Sequence, residues 1–356
     1  MLVAGARPNF VKVAPLMRAF TKSRRFRPLL VHTGQHYDAD LSDVFFAELG
    51  IPRPDHNLGV GSGTQAEQTG RAMMGLERIV AEEHPQLIVV VGDVNSTLAG
   101  ALVAAKANVP LAHVEAGLRS FDHTMPEEVN RIVTDALSDF LFTPSQDAVR
   151  NLRAEGKPKK SIFVVGNVMI DSLKSSRRRA AGMGRPERFG LLPGGYALLT
   201  LHRPNNVDQP GPLRGWIELL EWLTRHIPVL FPAHPRTFSR LRTLGLYERL
   251  RRVSGLVLTG PMPYLEFLDL QATARMVLTD SGGIQEETTV LGVPCITLRD
   301  STERPITVSS GTNHLAGTDP VRVRRVINAV LSEATPRRRV PPLWDGHAAT
   351  RIVAIL

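Results

Sequence analysis

The chain has 356 residues, 43% hydrophobic and 22% charged, with a formal net charge of +9 and a pI of about 10.2. These values describe a globular chain long enough for two cores and exclude a disordered one. No apolar run approaches the ~20 residues of a membrane span, and no charged start leads into a long apolar stretch. The single cysteine, Cys295, excludes an internal disulfide and fits a reducing cytoplasm.

The basic surplus raises nucleic acid as a partner. Aromatic residues are only 6%, however, and Arg177–Arg179 and Arg337–Arg339 lie in breaker-rich stretches that read as solvated linkers. An anionic small substrate accounts for the charge more simply, so neither a nucleic acid nor a membrane is expected.

The chain enters an apolar segment at Met1, so a residue or two of the first strand is expected to be missing. Gly5-Ala-Arg-Pro-Asn-Phe-Val-Lys12 follows that strand, and Arg7 and Lys12 are suited to hold a diphosphate, one as a planar fork of donors and one as a point charge. Continuous apolar runs then recur at Leu87–Val91, Leu111–Val114, Phe140–Phe142 and Ile162–Val165. A second series covers Tyr196–Leu201, Val229–Phe231, Leu256–Leu258, Met276–Leu278 and Cys295–Leu298. Such runs read as parallel strands covered on both faces. Helical patterns separate them, for example Thr97–Ala107 and Leu213–Thr224. The fold class is therefore α/β, with two doubly wound Rossmann-like domains. Ser, Arg, Gly and Pro dominate between about Asp171 and Pro193, which places a boundary there.

Polar residues collect where strands end. Asp93 follows Val91, Glu115 follows Val114, His202 follows Leu201, His234 follows Phe231 and Asp280 follows Leu278 by two positions. Ligands of open parallel sheets bind beyond the carboxyl ends of strands, so these five positions are expected to face one crevice between the domains. Pro126-Glu-Glu-Val-Asn-Arg131 reads as a helix start, with Glu127 and Arg131 one turn apart. In Asp280-Ser-Gly-Gly-Ile-Gln-Glu-Glu287 a strand breaks into a glycine turn that opens a helix, a place for phosphate. One carboxylate of Glu286 and Glu287 is suited to ribose hydroxyls. No Walker A sequence, dinucleotide fingerprint or metal-ligand spacing occurs. Side chains alone are expected to do the chemistry, without cofactor or metal.

Together these segments resemble the non-hydrolysing UDP-N-acetylglucosamine 2-epimerases. The resemblance rests on the Gly5–Pro15 segment, Gly34-Gln-His-Tyr-Asp38, Gly92-Asp-Val-Asn-Ser-Thr97, His113-Val-Glu-Ala-Gly-Leu-Arg119, Pro126–Arg131, Asp280–Glu287 and Thr302-Glu-Arg-Pro305, in the family's order. It implies a glycosyltransferase-B-like pair of domains with the active site in the interdomain cleft. Residues 1–170 are expected to carry the acid/base groups and 171–343 to bind UDP. Residues 344–356 are expected to form a helix returning to the first domain.

The implied reaction interconverts UDP-GlcNAc and UDP-ManNAc by elimination and re-addition of UDP through 2-acetamidoglucal, supplying ManNAc units for cell-surface polysaccharide. By the same resemblance, Asp93, Glu115, Glu127, Arg131 and His202 match catalytic positions. Arg7, Lys12, Ser281, Gly282, Gly283, Glu287 and Arg304 match nucleotide-binding ones, and Phe267 matches a position near the uracil. Gln35, Arg203 and His234 match the region where bacterial members bind a second UDP-GlcNAc as activator. Asp38 does not match that pattern, and His202-Arg-Pro-Asn-Asn-Val-Asp208 replaces the common His-Arg-Arg-Glu-Asn. The Gly-Gln-His-Tyr-Asp form also resembles relatives acting on UDP-2,3-diacetamido-uronic acids, whereas Thr302–Pro305 favours the plain UDP-GlcNAc branch. The alternatives are that uronate epimerase or a UDP-sugar glycosyltransferase of similar fold. A homodimer is the expected assembly.

Overall fold

A computed structural model describes residues 1–5, 7–34, 46, 48–333 and 339–356, with backbone alone at 7 and 8. The chain divides into two compact units: Met1–Ser175 with Pro342–Leu356, and Ser176–Pro341.

The first unit is built on a seven-stranded parallel sheet. Its strands are β1 (Leu2–Ala4), β2 (Leu30–His32), β3 (His56–Asn57), β4 (Ile88–Val91), β5 (Leu111–Val114), β6 (Phe140–Thr143) and β7 (Ile162–Val164). Their spatial order is β3-β2-β1-β4-β5-β6-β7. Apolar residues line both faces because helices cover both. On one face Val3, Val31, Val90 and Leu111 meet Ala72, Leu76 and Ile79 of the Gln65–Glu83 helix and Ala99 and Val103 of the Asn95–Lys106 helix. The longer helix starts on a capping box. Thr64 Oγ1 accepts from the Glu67 amide at 3.2 Å, and the Thr64 amide donates to Glu67 Oε2 at 2.9 Å.

The second unit repeats the plan with six parallel strands in the order β10-β9-β8-β11-β12-β13. They are β8 (Ala197–Thr200), β9 (Val229–Pro232), β10 (Leu256–Thr259), β11 (Met276–Thr279), β12 (Cys295–Thr297) and β13 (Asn313–Leu315). Leu199, Phe231, Met276 and Ile296 pack with Leu213, Trp216, Ile217 and Leu220 of the Pro210–Leu223 helix. Cys295 is fully buried, and burial pushes its thiol up to about 12, so it serves as core filler.

The unit boundary, between Ser175 and Ser176, falls inside the Asp171–Pro193 stretch that composition singles out. The Val168–Ala180 helix runs through it, and Arg177–Arg179 form that helix's last turn rather than a linker. Cations in a last turn complement the helix dipole. Of the other arginine cluster, Arg337 and Arg338 lie outside the described residues. The final helix, Ala348–Ile355, packs on the Arg7–Lys22 helix of the first unit. Its first amides, of Ala348 and Ala349, donate to buried Asp171 at 3.1 and 2.8 Å. Trp344 is buried just before it and donates to the Pro144 carbonyl at 3.0 Å.

In each sheet the chain reverses its direction of travel once, between β1 and β4 and between β8 and β11. Such switch points open a crevice at the carboxyl ends of the two strands.

Candidate active site

At the first switch point, β1 runs into the helix carrying Asn9 and Lys12, and β4 runs into Gly92 and Asp93. Asn9 ties the two ends together. Its side chain accepts from the Gly5 amide at 3.2 Å and donates to the Val91 carbonyl at 2.8 Å. One turn later Lys12 forms an ion pair with Glu115, and both residues are buried. Glu115 has a φ of +75°, rare for a side-chain-bearing residue. Gly92 leaves the space this pair needs: a Cβ there would stand 3.0 Å from Lys12 Nζ and 3.6 Å from Glu115 Oε2. The structure thus places Lys12 beside a catalytic candidate.

Asp93 is held three ways. Arg131 Nη1 donates to Asp93 Oδ2 at 2.5 Å. Asn130 donates to the Asp93 carbonyl at 2.8 Å. His113 Nε2, on β5, lies 2.8 Å from the Gly92 carbonyl, on the peptide that leads into Asp93.

Arg131 and Asn130 both come from the Pro126–Leu137 helix. Arg131 is 2% exposed and also donates to Glu128 through Nε at 2.9 Å and Nη2 at 2.6 Å. Glu128 in turn accepts the amides of Ser120 and Phe121 at 3.0 and 2.9 Å. Burial opposes its charge, but the Ser120 amide and Arg131 outweigh burial and hold the carboxyl below its usual range. Glu127, its neighbour, is half-buried. The sequence points to Glu127, whereas the buried partner of Arg131 is Glu128. Positions i and i+3 face each other on a helix as well as i and i+4.

At the second switch point Asp280 is fully buried. It accepts the amides of His202 and Arg203 at 2.9 and 2.8 Å and the Asn206 side chain at 3.0 Å. His202 Nδ1 lies 2.9 Å from Asp280 Oδ1. Burial pushes the Asp280 carboxyl up, yet the bonds from His202, Asn206 and Arg203 prevail and hold it at about 2. The ionised Asp280 therefore accepts a hydrogen bond from Nδ1–H of His202 and leaves Nε2 as the ring nitrogen for a ligand. The His234 ring stands 5.6 Å from the His202 ring, and its Nδ1 accepts the Arg236 amide at 3.2 Å. Within the same segment Asn206 braces Asp280, and Asp208 accepts from Arg236 at 2.5 and 3.0 Å.

Beyond Asp280, Ser281 is the N-cap of the Gly282–Leu291 helix. A Cβ at Gly282 would crowd Glu303 Oε1 at 2.6 Å and Arg304 Nη1 at 3.1 Å, so those side chains would have to shift. Arg304 donates to Glu303 at 2.7 Å and pairs with Glu286 at 2.8 Å. Arg299 pairs with Glu303 at 2.8 Å. Burial opposes the Glu303 charge, and the two arginines overcome it and keep the carboxyl very low. Glu287 follows Glu286 on the same helix and is buried. Burial pushes it up to about 7, against the Tyr264 hydroxyl that donates to it at 3.0 Å. Phe267 lies half-buried on Tyr264's helix, about one turn further on. Gln35 and the side chain of Arg7 lie outside the described residues. Among the described residues no helix is long and apolar enough to cross a membrane.

A family model described as UDP-N-acetylglucosamine 2-epimerase matches residues 18–356. A protein of Methanocaldococcus jannaschii named UDP-N-acetylglucosamine 2-epimerase is 42% identical over 362 residues, covering 100% of this chain and 98% of its own. The crystal structure of the M. jannaschii UDP-GlcNAc 2-epimerase in complex with UDP-GlcNAc and UDP aligns with a TM-score of 0.91 at 40% identity, covering 99% of this chain and 98% of that one. A Pseudomonas aeruginosa UDP-2,3-diacetamido-2,3-dideoxy-D-glucuronate 2-epimerase is 43% identical over 321 residues, 89% of this chain and 88% of its own. The strand-end carboxylates, the glycine turn and these matches agree: the chain is an isomerase that belongs to the UDP-N-acetylglucosamine 2-epimerase family.

Proposed function

We propose that the protein interconverts UDP-GlcNAc and UDP-ManNAc by elimination and re-addition of UDP. The C2 proton of the sugar is too weakly acidic for direct removal by a carboxylate. As the C1–O bond to UDP breaks, positive charge develops on the ring and C2–H becomes labile. A base takes that proton, giving 2-acetamidoglucal and UDP. Protonation at C2 from the opposite face, with UDP returning to C1, yields the epimer. The site must therefore hold a diphosphate leaving group and offer acid/base groups to both faces.

The observation that carries this reading is the first switch point, where Asp93 and Glu115 are each held by a cation of their own, Arg131 and Lys12. Asp93, Glu115 and Glu127 are the acid/base set, Arg131 supports Asp93, and His202 is a further catalytic group oriented by Asp280. Ser281, Gly282, Gly283 and Arg304 with Arg7 and Lys12 serve the diphosphate, Glu287 the ribose and Phe267 the uracil. Gln35, Arg203 and His234 are proposed to take a second UDP-GlcNAc as activator. The protein is proposed to act in the cytoplasm as a homodimer, supplying ManNAc units for polysaccharide.

The Pseudomonas match supports a second reading, in which a UDP-2,3-diacetamido-uronic acid is the substrate. Incubation with each sugar nucleotide alone, followed by NMR of the products, separates them. UDP-ManNAc formed from UDP-GlcNAc is the expected result. Turnover of the uronic acid alone would replace the first reading with the second.

A further inference from the structure

His113 is completely buried and lies on β5, two residues before Glu115. Its Nδ1 lies 2.6 Å from Asp135 Oδ1 and its Nε2 lies 2.8 Å from the Gly92 carbonyl. A carbonyl oxygen can only accept, so Nε2 carries a proton. The other oxygen of Asp135 accepts the Gly117 amide at 3.0 Å and stands 2.7 Å from Arg119 Nη2. Arg119 also donates to Glu155 through two nitrogens at 2.7 Å. Asp135 is thus an ionised acceptor, and both ring nitrogens of His113 donate. The carbonyl that Nε2 reaches belongs to the peptide between Gly92 and Asp93. Fixing that oxygen fixes the plane of the peptide, and with it the direction in which the Asp93 side chain leaves the backbone.

We propose that His113 is a positioning residue for Asp93: backed by Asp135, it locks the Gly92–Asp93 peptide so that the Asp93 carboxylate meets the sugar at one angle. The proposal rests on the acid/base reading of Asp93. His113 is sealed from solvent and acts only through the backbone. The Asn130 bond to the next carbonyl, that of Asp93 itself, clamps the second peptide plane.

Two variants split the role from the fold. His113→Asn keeps a donor where Nδ1 stands and loses the bond to Gly92. His113→Gln keeps a donor where Nε2 stands and loses the bond to Asp135. A displaced Asp93 lowers kcat by about 10–100-fold in His113→Asn, with KM and the UDP Kd within about threefold of wild type. His113→Gln recovers much of that kcat even where its Tm is the lower of the two. A merely structural role moves kcat in both variants in step with Tm, and that result would overturn the proposal. Asp93→Asn is assayed beside them. If it retains wild-type kcat, the acid/base reading fails; if it is inactive while His113→Asn is normal, only the positioning role fails. Should neither His113 variant fold, ¹⁵N imidazole NMR of the wild type decides: His113 is expected to show two protonated, slowly exchanging nitrogens, and an unprotonated Nε2 would refute the lock.

Discussion

The ends of β4 and β11 are the same place in two sheets of the same plan, and each carries an aspartate. At β4, the Asp93 side chain keeps 25% of its surface exposed and is held from behind by Arg131. At β11, Asp280 is sealed, and its oxygens go to the His202, Arg203 and Asn206 donors. One carboxylate keeps surface open to a ligand; the other is consumed in shaping a loop. Residue type and position after a strand do not separate these roles. Burial and the identity of the partners do.

The comparison is broken most severely at the acid/base set. Asp93→Asn and Glu127→Gln should each cost about 10²–10⁴ in turnover, with UDP affinity and Tm near wild type. Near-normal turnover in Glu127→Gln would make its segment structural. Glu128 sharpens the contrast within one helix turn. Glu128→Gln strips Arg131 of its buried partner and should lower stability by about 3–5 kcal/mol. Denaturant unfolding that matches wild type would show that the pair is dispensable.

Arg7 probes the nucleotide side. A charge-assisted bond to the diphosphate contributes about 1.5–3 kcal/mol, so Arg7→Ala should weaken UDP binding roughly ten- to a hundredfold. Calorimetry giving an unchanged Kd would remove Arg7 from the site.

The smallest effect concerns Asp280 and pH. Its carboxyl is depressed from 3.8 to about 2 in the folded protein. Its contribution is therefore present above about pH 4 and fades as pH falls through about 2. Asp280→Asn should lose about 2 kcal/mol at pH 7, and the deficit should shrink towards pH 2. A deficit independent of pH would mean that the charge is not what Asp280 supplies.

Much of this architecture is legible in the chain, because parallel strands covered on both faces show as unbroken apolar runs. Leu111–Val114 is read to the residue, and eight other strands to within one or two. The strands left unread are short or at an edge: Leu30–His32, Asn313–Leu315 and His56–Asn57, the last of which is polar. Arg177–Arg179 mislead because charge at a helix end resembles charge in a loop. Of the polar residues beyond the strand ends, Asp93, Glu115 and His202 are visible in the chain because they close apolar runs. Glu128 and His113 are not. Glu128 differs from Glu127 only in which way the helix turns it, and His113 meets Asp135 across 22 residues.

The central claim is that a proton is exchanged at C2 while UDP leaves and returns. Running the reaction on UDP-GlcNAc in D2O and reading C2 by NMR tests it directly. The account predicts deuterium at C2 of both UDP-GlcNAc and UDP-ManNAc. Epimerised product that keeps its original C2 hydrogen would contradict it.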